Sequence, residues 1–382
     1  MPDMKKSLGI NYENLGLFLT LNGVLYGVAK FANGYLGDRS NARAMMVAGL
    51  AGSALLNIFF GMSSSVVLLG VFWMLNGWFQ GMGYPPCARL MTHWFSPRQL
   101  ATKMSIWNIS HQIGALMIVV LCGYLVARWG WRSCFFVPAG IALVGACYLW
   151  RWLPDTPPSV GMPEVEGTGA ASGVQTGAEF NSFVLKKVFL NKYVWFVSLG
   201  NFFVYTIRYA VFNWSPTMLT ETKHLHIINV AWMLAGFECA GAFGALTSGW
   251  LTDRFFGGRA MRVGVFYMAL AGLSVFLFWK APEQSVWIST GLLCSTGFFI
   301  YGPQCLVSIA AANLATKRAA ATAVGLTSIF GYGSTILSGW GLGWLATRYG
   351  WDVVFQSLLA VAALGVLVFA LSWPAKAHGY DD

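Results

Sequence analysis

Apolar residues run along this chain in long blocks separated by short polar breaks. Such blocks are wider than the one-sided stripe of a soluble helix and match the ~20 residues that cross a hydrocarbon core. They predict spans at 14–37, 45–63, 66–93, 101–127 and 134–153, then at 193–219, 227–251, 261–279, 285–314, 319–346 and 353–373. Between the two sets, 154–192 opens with Pro154, Pro157 and Pro158, continues through a Gly/Ala/Ser-rich stretch, and reads as a flexible connection. The expected fold is all-α and integral to a membrane, with about eleven spans. Five lie in an N-terminal bundle, 1–153, and six in a C-terminal bundle, 193–382, around a central loop at 154–192.

Composition sharpens this. The 382 residues are 57% hydrophobic and 10% charged, whereas a soluble domain carries about 25% charged residues. A soluble globule and a disordered chain are both excluded. The net charge of +10 comes without a basic run or zinc spacing, so nucleic acid is not an expected partner. The seven cysteines form no C-x-x-C pair and read as packing residues; no phosphate-binding loop is present. No catalytic constellation, metal-ligand set or cofactor motif stands out, so no enzyme and no cofactor are expected. Lys5 and Lys6 precede an apolar run, but Asn22 and Lys30 interrupt it and no cleavage site follows, which argues against a signal peptide. Of the 24 Lys and Arg, fourteen fall in one set of connections, with the linker and the C-terminus, and seven in the other. The richer set is expected in the cytoplasm.

The halves repeat each other. Gly34-Tyr-Leu-Gly-Asp38-Arg39 matches Gly249-Trp-Leu-Thr-Asp253-Arg254, and Gly123-Tyr-Leu-Val-Ala-Arg128-Trp-Gly130-Trp131 matches Gly343-Trp-Leu-Ala-Thr-Arg348-Tyr-Gly350-Trp351. Two matches at nearly one offset indicate parallel duplicated halves, a known transporter plan. At that offset the counterpart of 193–219 falls before Met1. The repeat therefore predicts a twelve-helix plan whose first helix is missing from this chain.

The repeated G-x-x-x-D-R loop resembles the signature of the major facilitator superfamily. Longer strings narrow the likeness: Tyr26-Gly-Val-Ala-Lys30-Phe, Gly37-Asp-Arg-Ser-Asn-Ala-Arg43, the Gly77–Arg89 stretch with Pro85-Pro86, Trp107-Asn-Ile-Ser-His111, Phe203-Val-Tyr-Thr-Ile-Arg208-Tyr and Phe212-Asn-Trp-Ser-Pro216. Together they resemble the organophosphate:phosphate antiporter family across both halves. That resemblance implies two six-helix bundles, a bacterial inner membrane and a monomeric carrier. It also implies an arginine pair clamping phosphate, of which Arg208 is the second-half member and the first-half member would lie upstream of Met1.

Ionisable residues at membrane depth are costly and mark function. Lys30, eight residues before Asp38, lies roughly 12 Å into the hydrocarbon. Arg208, His111 and Glu238 fall near the middles of their spans. Read from sequence, the four share one depth, and one carboxylate cannot neutralise a Lys and an Arg, so an anion is the expected guest. Arg208 grips phosphate with its planar fork, Lys30 and His111 assist, and Asn108 stands one turn from His111. Tyr205 and Tyr332 line the cavity, and Glu238 holds Arg208 when the site is empty. Asp38, Arg39, Arg43, Asp253 and Arg254 are too shallow for substrate and read as latches between the bundles, made in the outward-open state. Arg89, beside the Pro85-Pro86 break, is read equally as a helix-terminus or gate residue and as a phosphate attractor. The function these readings imply is exchange of an organophosphate monoester, glycerol-3-phosphate first, for inorganic phosphate by alternating access. The alternatives are a sugar-phosphate membrane sensor of the same family and a truncated, inactive transporter.

Overall fold

The computed structural model describes residues 12–165, 177–222, 227–282 and 286–379. Among these residues there are helices and no strand. In the first half run α1 (Tyr12–Arg39), α2 (Ala42–Met62), α3 (Val66–Gln80), α4 (Tyr84–Trp94), α5 (Leu100–Trp129) and α6 (Ser133–Trp152). A short α7 (Gly177–Val184) lies in the connection. The second half holds α8 (Lys192–Thr222), α9 (Ile227–Phe255), α10 (Ala260–Lys280), α11 (Val286–Thr335), α12 (Leu342–Tyr349) and α13 (Trp351–Leu371).

Seven helical stretches among the described residues are long and apolar enough to cross a bilayer, including Val66–Trp94 as one and Val286–Ala346 as another. This is a multi-pass membrane protein. Lys30, His111 and Glu238 lie on three further long helices, α1, α5 and α9.

Two breaks shape the longest runs. Gly81–Gly83 interrupt Val66–Trp94, and Pro85 and Pro86 then open α4, where a missing N–H costs nothing. In α11 the break falls at Thr316, whose φ of 62° is left-handed, and it divides the helix into a first limb, 286–315, and a second. The C-terminal segment closes this break: Gly379 donates its N–H to the Asn313 carbonyl at 3.0 Å, and Lys187 donates to the Gly379 carbonyl at 3.0 Å.

The connection is more ordered than its composition suggests. Phe180, Val184 and Val188 recur every four residues through α7 and the π-helical turn after it, and all three are buried. Phe180 packs against Tyr35 of α1, and Phe189 meets Phe31. A polar, Gly-rich lead-in hid this short apolar face.

The repeated motifs fold alike. Gly130 and Gly350 end α5 and α12 at φ values of 77° and 82°, a turn that a side chain would strain. Gly34 and Gly249 each let a helix start of the other half come close. A methyl on Gly34 would strike the Ala321 carbonyl oxygen; one on Gly249 would strike the Ser105 hydroxyl and stand 2.7 Å from the Ala101 carbonyl oxygen. In a bilayer, where apolar burial does not drive helices together, such close backbone packing and polar contacts do.

Candidate functional site

The intramembrane polar residues gather around a cluster of tyrosines between the halves. Lys30 of α1 is 5% exposed, and its ammonium lies 4.6 Å from the ring centre of Tyr84, 5.1 Å from Tyr26 and 5.3 Å from Tyr332. Ring faces attract a cation without neutralising it. His111 of α5 stacks on Tyr84 as well, with ring centres 6.4 Å apart. Asn108 is buried one turn away on the same helix.

Arg208 of α8 is held differently. Its guanidinium sits 4.8 Å from the ring centre of Tyr301, 5.5 Å from Tyr209 and 6.0 Å from Tyr205. It donates to the Tyr301 hydroxyl at 3.0 Å, and that hydroxyl in turn lies 2.6 Å from both carboxylate oxygens of Glu238. A tyrosine therefore stands between the arginine and the acid. The bond to Tyr301 takes one of the five N–H donors of Arg208.

Tyr205 and Tyr332 join the two groups, their ring centres 5.8 Å apart, and Tyr332 packs on Tyr26 at 5.0 Å. The four ionisable groups do not share one level. On the first limb of α11, Tyr301 meets Arg208 whereas Ser308 hydrogen-bonds Tyr84, the tyrosine under Lys30. Those seven residues of helix rise about 10 Å. The site thus has two tiers, Lys30 with His111 nearer the end of the molecule that carries the 154–192 connection, and Arg208 with Glu238 farther from it. Depth judged from each span's own ends misses this, because the spans differ in length.

At the connection end, two aspartates reach across the halves. Asp38 of α1 accepts from the N–H groups of Ala321 and Thr322 at 3.0 and 2.7 Å and from the Thr322 hydroxyl at 2.6 Å. Asp253 of α9 accepts from the N–H and hydroxyl of Thr102 at 2.7 and 2.6 Å. Each acid thereby sits on the N-terminal end of a helix in the other half, where the macrodipole favours an anion. In both motifs the glycine four residues earlier lies on the same face and lets that helix approach.

Cations cannot serve at such an end, and the arginines lie elsewhere. Among the described residues no acid of the opposite half pairs with Arg39; it donates to Tyr35 and stacks on Phe180 of α7. Arg43 stacks on Trp150 within its own half, and Arg254 is exposed. Among the described residues none of the three bridges the bundles. Arg89 pairs with Asp155 at 2.8 Å, and Asp155 also accepts the Ala42 N–H that opens α2.

A family model described as Major Facilitator Superfamily matches residues 1–339. The chain belongs to the major facilitator superfamily. Its relatives place it in the organophosphate:phosphate antiporter branch that its motifs resemble. It is 37% identical to the probable hexose phosphate transport protein of Chlamydia pneumoniae, over 98% of this chain and 86% of that protein. It is 37% identical to the glycerol-3-phosphate transporter of Bacillus subtilis, over 96% and 85%. With the membrane sensor protein UhpC of Escherichia coli it shares 33%, over 96% and 85%. The fold matches the Escherichia coli fucose:proton symporter FucP with a TM-score of 0.70 at 14% identity, covering 97% of this chain and 92% of that one.

Within this superfamily fold, sequence reasoning missed Tyr26, Tyr84, Tyr209 and Tyr301, the residues that touch the cations. Tyr26 and Tyr84 lie inside strings that carry the family likeness, and Tyr209 follows Arg208 directly. Tyr301 had no such neighbour to point to it. With 14 tyrosines in the chain, residue type alone does not select these four.

Proposed function

We propose that this chain is a secondary transporter that exchanges an organophosphate monoester, glycerol-3-phosphate first, for inorganic phosphate by alternating access, with the connection end and the C-terminus in the cytoplasm. The observation that carries this reading is the tyrosine-lined pair of cationic tiers, Lys30 and His111 from one half and Arg208 from the other, facing each other at the bundle interface with Glu238 as their carboxylate. With one carboxylate against Lys30 and Arg208 the site stays positive, which favours an anion.

Arg208 keeps donors free to grip phosphate, and the Tyr301–Glu238 pair holds the guanidinium in place when phosphate is away. Phosphate held between the halves offsets the repulsion between their cations, so the loaded protein reorients and the empty one does not. Rocking then requires Asp38 and Asp253 to leave the helix ends of the opposite half. The names of the relatives support a phosphate ester as cargo.

The test is counterflow. Liposomes carrying the purified chain and loaded with phosphate are expected to take up labelled phosphate or glycerol-3-phosphate, and empty liposomes to take up neither. Equal uptake without internal phosphate would remove the exchange mechanism. The likeness to UhpC favours a second reading, a sensor with the same cavity; saturable binding of glycerol-3-phosphate or a hexose phosphate without any flux is its signature.

A further inference from the structure

One polar residue at the site takes no part in either tier. The first limb of α11 presents Tyr301, Gln304, Cys305 and Ser308 at spacings of three and four residues, which puts them on one face. Three of the four have partners that account for them: Tyr301 joins Arg208 and Glu238, Cys305 meets the Ser105 hydroxyl of the other half at 3.5 Å, and Ser308 joins Tyr84. Gln304 lies between, one turn from Tyr301 and one from Ser308, and so between the tiers. Its amide nitrogen donates a long bond, 3.4 Å, to the Tyr205 hydroxyl. Its carbonyl oxygen is buried and has no hydrogen-bond partner among the described residues.

A lone acceptor is unfavourable in a bilayer interior, and buried polar atoms in native proteins are nearly always paired. Packing does not account for it, since Met or Leu would fill similar space with no acceptor to satisfy. The bond to Tyr205 turns the amide so that its nitrogen is engaged and its oxygen is not. An amide is also the group that can accept a hydrogen bond here without adding a negative charge beside a phosphate site.

We propose that Gln304 is a specificity-determining residue whose carbonyl oxygen accepts a hydrogen bond from a hydroxyl on the organic part of a phosphate monoester. The inference rests on the phosphate-ester reading and deepens it. Gln304 is about 4.5 Å along the helix from Tyr301 and about 6 Å from Ser308. A phosphate held at either tier places Gln304 opposite the second or third carbon of its ester. The favoured cargo therefore carries a hydroxyl there, as glycerol and hexose phosphates do. Inorganic phosphate and simple alkyl phosphates have nothing to offer at that point, and Gln304 leaves them unaffected.

Competition against labelled phosphate uptake by the full chain in phosphate-loaded liposomes tests this with three competitors: glycerol-3-phosphate, methyl phosphate and unlabelled phosphate. Gln304→Met keeps the length and removes both polar atoms. It is expected to weaken glycerol-3-phosphate about tenfold, as loss of one buried hydrogen bond does, with methyl phosphate and phosphate changed less than about twofold. Gln304→Asn, one methylene shorter, is expected to show the same selective loss. Because the readout is a ratio of affinities within one sample, it does not depend on the fraction of variant that folds. A uniform loss for all three competitors, or an unchanged preference for the glycerol ester, overturns the assignment. A wild-type chain that takes up no phosphate overturns the underlying reading as well, so the two failures are told apart.

Discussion

The two tiers hold their cations by opposite means. Arg208 has a carboxylate within reach through a single hydroxyl, whereas Lys30 has three tyrosine faces and, among the described residues, no acid paired with it. Ring faces contribute about 0.5–2 kcal/mol each way of holding a cation, yet leave its charge visible. A carboxylate answers the charge and must give way before another anion takes its place. In the exchange proposed above, the Lys30 tier attracts phosphate and the Arg208 tier commits it.

The sharpest way to break this contrast is to exchange the cations. Arg208→Lys loses the planar fork and is expected to lower phosphate counterflow at least ~100-fold, whereas Lys30→Arg keeps a charge over the same rings and costs about tenfold. Equal losses would erase the distinction between the tiers. Glu238→Gln comes next. It removes the charge that competes for Arg208, so exchange at saturating phosphate is expected to slow about tenfold while phosphate binds as tightly or more tightly. Weaker binding would instead make Glu238 a plain structural acid.

The smallest expected effects concern the aspartates at the connection end. In a background where Cys305 is the only cysteine, its rate of labelling by a polar thiol reagent reports opening between the halves beside Ser105. Asp38→Asn, which takes the charge from its helix-end contact, is expected to raise that rate about fivefold. Asp253→Asn, which does the same at the like contact, is expected to raise it about as much. A rise from only one of them would mean that the two contacts do not share the closure.

The helices and their order were legible because a bilayer demands long apolar runs, and no soluble packing pattern competes with that signal. The ionisable residues were legible for the converse reason: Lys30, Arg208 and Glu238 are expensive where they lie. Tyr301 and Tyr84 were not, since a tyrosine is as much at home against lipid as beside a cation, and only the neighbouring helix decides. The two levels were hidden because they are a property of how α1, α5, α8 and α11 are shifted along one another. The buried face of α7 and the turn after it was hidden by the Gly-rich stretch that precedes it. The arginines of the repeated loops read as latches by position alone; the helix ends opposite them present N–H groups, which select Asp38 and Asp253.

The reciprocity of those two aspartates has a consequence for ancestry. Each half carries the acid that closes on the other half and the helix start that receives the other's acid, so the closure is one contact used twice. In an unfused pair of identical halves, one gene would have governed both contacts, and any change at the aspartate or its receiving helix would have struck the gate twice at once. Joining two copies in a single chain frees each contact to drift alone. The two contacts have nonetheless stayed closely alike: Asp38 takes the Ala321 and Thr322 N–H groups and the Thr322 hydroxyl, and Asp253 the Thr102 N–H and hydroxyl with the Ala101 N–H beside them.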